Sequence, residues 1–123
     1  MDGFIRFHLS FLEYLSAVYR SLLRMKTFED LDCWKRITAL RRELAELVKV
    51  FPAEEYRLTD QIIRAARSAT SNIAEGYGRF HYQENIQYCR QTRGSLFEIM
   101  EHLIVAKDEG YISDSELISL KAN

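Results

Sequence analysis

Proline occurs once in these 123 residues, at Pro52, and glycine only five times. Chains built of many short strands and tight turns use more of both. No Asn-Gly or Asp-Gly pair joins two strand-like runs, and no apolar–polar alternation repeats along the chain. A sheet architecture is therefore excluded. Cysteine is scarce as well. Cys33 and Cys89 make neither a CxxC nor a zinc-ligand spacing. Each has apolar neighbours in sequence, which predicts buried free thiols, in keeping with a reducing cytoplasm. Charge of one sign is lacking too. The formal net charge is −1 and the sequence pI is near 6.3, which argues against a general nucleic-acid coat protein. There is also no uninterrupted apolar run of the roughly 20 residues that a spanning helix needs.

What the sequence does contain is helical periodicity. Apolar residues make up 47%, enough for the core of one domain. Leu31, Trp34, Ile37, Leu40, Leu44, Leu47, Val48 and Phe51 step by threes and fours until Pro52. Leu58, Ile62, Ala65, Ala66, Ala69 and Ile73 follow on one face, with Thr59 as the expected N-cap. Ile86, Cys89, Leu96, Met100, Leu103 and Ile104 form a third row, closed by Gly110 as a left-handed C-cap. Ser113 and Glu116 fit a capping box before a short last helix. The expected fold is all-α: an antiparallel up-down four-helix bundle over residues 25–123. Residues 1–24 add an N-terminal helical extension. It carries two apolar rows, Phe4, Phe7, Phe11, Leu15, Val18, Leu22 and Ile5, Leu9, Leu12, Tyr19, Leu23, beside a narrow polar stripe. Such a helix wants cover on most of its circumference. As a signal peptide it is poor, because Asp2 and Glu13 interrupt the pattern. Met25 is an alternative start.

The stretch SATSNIAEGYGRF, residues 68–80, is the most distinctive. Its Gly-x-Gly follows a helix. A phosphate-binding glycine loop instead follows a strand and opens a helix, so a nucleotide site is rejected. Gly76 and Gly78 are expected to take positive φ and end the helix. Asn72, Glu75 and Arg79 are expected to hold that turn by hydrogen bonds. The small residues from Ala65 to Ser71 predict a close helix contact, with Gly94 as its counterpart on the next helix. The functional alternative is a ligand-binding or enzymatic pocket using Asn72, Glu75, Arg79 and Glu98. Other chemistry is thin. Glu98 and His102 stand four apart, and no second copy supplies the Glu-x-x-His pair that a ferritin-like di-metal bundle requires. No metal, cofactor, small-molecule substrate or catalytic residue is expected.

Three segments carry a family resemblance: FEDLDCWKRITALRRELAELVKVFP, LTDQIIRAARSATSNIAEGYGR and GSLFEIMEHLIVAKDEGYIS. They resemble the four-helix-bundle family encoded in intervening sequences of bacterial 23S rRNA genes, and are similar to the accessory variability protein of diversity-generating retroelements. The resemblance spans residues 27–120. Its motif residues are Gln61, Arg64, Ser68, Asn72, Ile73, Ala74, Glu75, Gly76, Gly78 and Arg79, followed by Gly94, Ser95 and Glu98. It implies a bundle that assembles into a ring of five, no known enzyme activity, and nucleic-acid association in the retroelement branch. Three departures stand out. Ala69-Thr70 replaces a frequent Ile-Pro, the last helix ends early at Asn123, and residues 1–24 have no family counterpart.

Two further features bear on partners. Residues 57–93 hold six arginines (57, 64, 67, 79, 90, 93) against Asp60, Glu75 and Glu84, a local balance of +3. Residues 98–123 carry a balance of −4. Repeated around a ring, the arginines would form a positive band, with Arg64, Arg67 and Arg90 as candidate contacts to RNA or DNA. The expected role is a cytoplasmic, non-enzymatic homo-oligomeric scaffold. A membrane-peripheral role for the first helix is a further alternative.

Overall fold

The computed structural model describes residues 2–79 and 81–122, leaving aside the side chains at 2–9, 11 and 22. Phe4, Ile5, Phe7, Leu9, Phe11 and Leu22 of the expected apolar rows, and Phe80, therefore lie outside the described side chains. The chain is all-helical, with no strand among the described residues. Five α-helices follow in order: α1 (Asp2–Arg24), α2 (Asp32–Leu47), α3 (Tyr56–Gly78), α4 (Tyr82–Asp108) and α5 (Asp114–Ala122). Single 3₁₀ turns at Phe28–Asp30, Val48–Val50 and Ala53–Glu55 fill the connections.

The helix α3 is central and packs against both α2 and α4. Thr92 meets Ala69 and Ser95 meets Ser68, while Tyr88 meets Glu75. The partner numbers fall on one side as they rise on the other, so α3 and α4 run antiparallel. The core gathers Leu44 of α2, Val48 of the turn after it, Leu58, Ile62 and Ala66 of α3, Ile99, Leu103 and Ala106 of α4, and Leu117 and Leu120 of α5. The α2 and α3 positions are the predicted ones; on α4 only Leu103 of the predicted row is buried, Cys89 and Met100 are exposed, and Ile99 and Ala106 take the core face instead. Apolar burial of this kind contributes roughly 25 cal/mol per Å², and it fixes which face of each helix stays outside.

Local signals explain the ends. Gly110 takes φ +82°, the left-handed C-cap that ends α4. The Ser113 hydroxyl accepts the Glu116 amide at 3.1 Å, and the Ser113 amide donates to Glu116 Oε2 at 2.7 Å, the expected capping box. Before α2, the amides of Lys26 and Thr27 both donate to Asp30 Oδ2, at 2.8 and 3.2 Å. These two bonds hold the Asp30 carboxyl below its ordinary range.

Several expectations are corrected. Gly76 and Gly78 have no positive φ, and α3 runs through both. Gly76 is needed for space instead. A Cβ there would lie 2.7 Å from Tyr88 Cβ and 2.8 Å from Asn85 Oδ1. Gly94 is no contact point: it is exposed, and a Cβ there would meet nothing within 4 Å. The close contact opposite the α3 alanines is made by buried Thr92 and Ser95. Thr59 is not an N-cap, because the turn after Pro52 starts α3 already at Tyr56. Both cysteines are exposed. Their apolar sequence neighbours point to other faces of their helices, so adjacency in sequence was a poor guide to burial. Along α1, every described side chain is exposed, apolar ones included.

Candidate functional site

Ser68, Asn72, Glu75, Arg79 and Ser95 of the motif lie along the α3–α4 seam, in two small networks. The first is centred on Ser68. Its hydroxyl accepts from Ser95 Oγ at 3.0 Å and from Asn72 Nδ2 at 3.1 Å. Asn72 Nδ2 also reaches the Ser68 carbonyl at 2.9 Å. One turn on, buried Thr92 donates to the Ala69 carbonyl at 3.3 Å. Small residues on α3 bring the helices close, and the hydroxyls of α4 then find partners inside the seam. The serine hydroxyls thus bond each other and Asn72 and tie the two helices together.

The second network caps the seam beside Gly76. Glu75 Oε1 accepts from Arg79 Nη2 at 3.1 Å and from the Tyr88 hydroxyl at 3.0 Å. Arg79 Nη2 also donates to the Tyr88 hydroxyl at 2.9 Å, and its guanidinium lies 5.4 Å from the Tyr88 ring centroid. The Glu75 hydrogen bond, then that of Tyr88, raises the Arg79 pKa further above its already high value. The geometry is one ring resting on a glycine, clasped by an ion pair across the helix end. An exposed i,i+4 pair alone is worth about 0.3–0.5 kcal/mol; the shared tyrosine adds hydrogen bonding and a cation–π contact.

Glu98 belongs to neither network. It stands ten residues beyond Tyr88, about 15 Å along α4, with its Oε1 3.6 Å from His102 Nε2. The four-residue pocket of Asn72, Glu75, Arg79 and Glu98 is therefore not assembled: Asn72 faces Ser68, Glu75 and Arg79 face Tyr88, and Glu98 faces His102. Among the described residues no three His, Cys, Asp or Glu side chains converge as a metal-ligand set.

The family model described as 23S rRNA-intervening sequence protein matches residues 29–123. The chain belongs to that family. No curated protein matches the sequence significantly. The matched span starts inside the turn before α2 and covers α2 to α5, so both seam networks are part of the family domain and α1 precedes it.

On this intervening-sequence family domain the arginines divide. Arg64 Nη1 lies 3.5 Å from Asp60 Oδ2, with both side chains largely exposed. Arg90 donates to Gln87 Oε1 at 3.3 Å on α4. Arg67 shares an open cleft with Arg41 and Arg42 of α2, over Ala45 and Ile63. Arg41 also donates to Thr70 Oγ1 at 3.4 Å. Sequence reasoning missed Arg41, Arg42 and Tyr88. The signal for the first two was present, since Lys35, Arg36, Arg41 and Arg42 crowd one helix, but only its apolar row was read. Among the described residues no helix is long and apolar enough to cross a membrane.

Proposed function

We propose that this protein is a non-enzymatic, homo-oligomeric scaffold. In this reading residues 25–123 form an antiparallel up-down four-helix bundle, and residues 1–24 are an extension. The observation that carries it is an open apolar cleft between α2 and α4. Leu40 and Leu96 line it throughout, with Cys33 and Ile37 at one end and Met100 and Leu120 at the other. Phe97, 62% exposed, stands one turn from Met100. Large contiguous apolar surface on a small domain marks an interaction site. The seam networks satisfy their polar groups with each other, which favours an architectural over a catalytic role for the motif. Five copies is the number that the family resemblance favours, and the cytoplasm is the expected compartment. Multi-angle light scattering at micromolar concentration tests the reading. A mass several times 14.5 kDa is expected; a clean monomer would overturn it.

A second activity is supported by the Arg41, Arg42 and Arg67 cleft. Three cations on two facing helices can take phosphates without reading bases. Weak, sequence-tolerant RNA or DNA binding is the result, falling steeply with salt. A gel-shift titration with a structured RNA at ~50 mM salt tests it. Charge reversal at Arg41, Arg42 and Arg67 should abolish the shift, while reversal at Arg64 and Arg90 should weaken it less. No shift for the unaltered protein at ~50 mM salt retires the activity and leaves the scaffold.

A further inference from the structure

The described part of α5 covers one end of the cleft between α2 and α4. The nine residues of α5 make about 13 Å of helix, whereas the 23 residues of α3 and the 27 of α4 make about 35 and 40 Å. Leu117 and Leu120 close one end of the layer. Among the described residues, the other end is lined by Cys33, Ile37, Leu40 and Leu96 and stays open. The same chain holds a helix without a groove. The 23 residues of α1 make about 35 Å, enough to run the length of the cleft. Leu12, Leu15, Val18, Tyr19 and Leu23 are 37–63% exposed. At about 100° per residue they fall on one side of α1, and Glu13, Arg20 and Arg24 fall on the other.

The two surfaces do not meet within one copy. Thr27 is extended (φ −149°, ψ 163°), and Asp30 binds the amides of Lys26 and Thr27. The linker is thus fixed within three residues of the end of α1. We propose that α1 of one copy docks, apolar side down, into the α2–α4 cleft of a second copy, against Leu40, Leu96 and Met100. This deepens the oligomeric reading above and rests on it: helix exchange is how the assembly is built. Leu12, Tyr14, Leu15, Val18, Tyr19 and Leu23, each 37–65% exposed in one copy, leave water together on docking, at roughly 25 cal/mol per Å² of apolar area. In a closed assembly every copy gives one helix and receives one.

Cys33, exposed and at the cleft, makes the test direct. In a Cys89→Ser background, one tagged chain keeps Cys33. A co-expressed, differently tagged chain carries Cys33→Ser with Leu12→Cys, Leu15→Cys or Tyr19→Cys. A short bismaleimide should join the two chains from at least one apolar-face position and not from Glu13→Cys on the polar side. No joining from any apolar position, or equal joining from Glu13→Cys, overturns the proposal. So does a fast-migrating monomer as the sole product when Cys33 and Leu15→Cys occupy one chain, since that means docking in cis. Sedimentation with phosphatidylserine vesicles, lost on Leu15→Asp and without cross-linking, would assign α1 to a lipid surface instead. Light scattering separates the two readings. An oligomer without cross-links retires helix exchange alone, whereas a monomer retires the scaffold too.

Discussion

Replacing Gly76 by alanine tests why the motif carries a glycine there. The new Cβ would sit 2.7 Å from Tyr88 Cβ and 2.8 Å from Asn85 Oδ1. Ordinary carbon contacts lie near 3.5–4.0 Å, so α3 and α4 must separate by the better part of an ångström. Tyr88 Cβ is bonded directly to the backbone, and no rotamer change moves it away. Overpacking of this kind costs about 1–3 kcal/mol. Against it stands the helix preference for alanine over glycine, about 1 kcal/mol in a helix interior and less here, two residues from the end of α3. The net expectation is a loss of about 1–2 kcal/mol, or a fall in Tm of roughly 4 °C per kcal/mol, between the values for smaller and larger domains. Gly78→Ala and Gly94→Ala are the controls. Neither position has positive φ, and a Cβ at either meets nothing within 4 Å. Both should be neutral or gain up to about 1 kcal/mol. Circular-dichroism melts at one fixed protein concentration decide the matter. If Gly76→Ala melts with Gly94→Ala at or above the parent, the close approach of α3 and α4 is refuted. If Gly78→Ala instead drops sharply, the helix does not run through Gly78 as described.

Gly110→Ala places a side chain at φ +82° and should cost about 1–2 kcal/mol in urea unfolding. Ser113→Ala removes the hydroxyl that accepts the Glu116 amide and should cost about 1 kcal/mol by the same assay. The Tyr111 hydroxyl donates to Glu55 Oε1 at 2.8 Å, and that bond, with desolvation, pushes its pKa up to about 12 from 10.0. A raised pKa means that its stabilisation is whole below pH 10 and is lost as pH rises from 10 through 12; Tyr111→Phe should flatten stability against pH in that window, and one of the seven tyrosines should titrate late in ultraviolet absorbance. Asp30 has the opposite sign: its lowered pKa gives stabilisation that is present above the usual carboxylate range and lost as pH falls through the folded value, so Asp30→Ala should lose that acid-side dependence.

Periodicity and punctuation were legible in the sequence because they act over a few residues. The apolar rows of α2 and α3, the Gly110 cap and the Ser113–Glu116 box all depend on neighbours within one or two turns, whereas the α4 row was misplaced because its core face is partly polar, through Thr92 and Ser95. Gly76 shows where that reading stops. A glycine answers two different needs, an unusual φ or room for a neighbour, and only the position of Tyr88, twelve residues on and across the seam, tells them apart. The exposed cysteines fail for the same reason, since burial is set by what packs against a face. So does the four-residue pocket. Its members share a motif in sequence but stand on different turns, and each is taken by a closer partner.

The same logic relocates the positive surface. Counted along the chain, residues 57–93 look like a basic segment. Counted in space, Arg79 is clasped by Glu75 and Tyr88 and Arg64 leans on Asp60, while Arg90 donates to the neutral amide of Gln87 and keeps its full charge. A surface arginine near a carboxylate keeps its charge but adds little net potential beyond a Debye length, about 8 Å at physiological salt. Arg67 gains what Arg79 and Arg64 lose, because α2 brings Arg41 and Arg42 to its cleft. Like charges gathered there repel one another, and each would gain from an anion that neutralises them together. Arg41 is also tethered, to Thr70 Oγ1 at 3.4 Å. The basic feature of this domain is thus a property of the α2–α3 packing, and it depends on the apolar rows that set which faces of those helices meet.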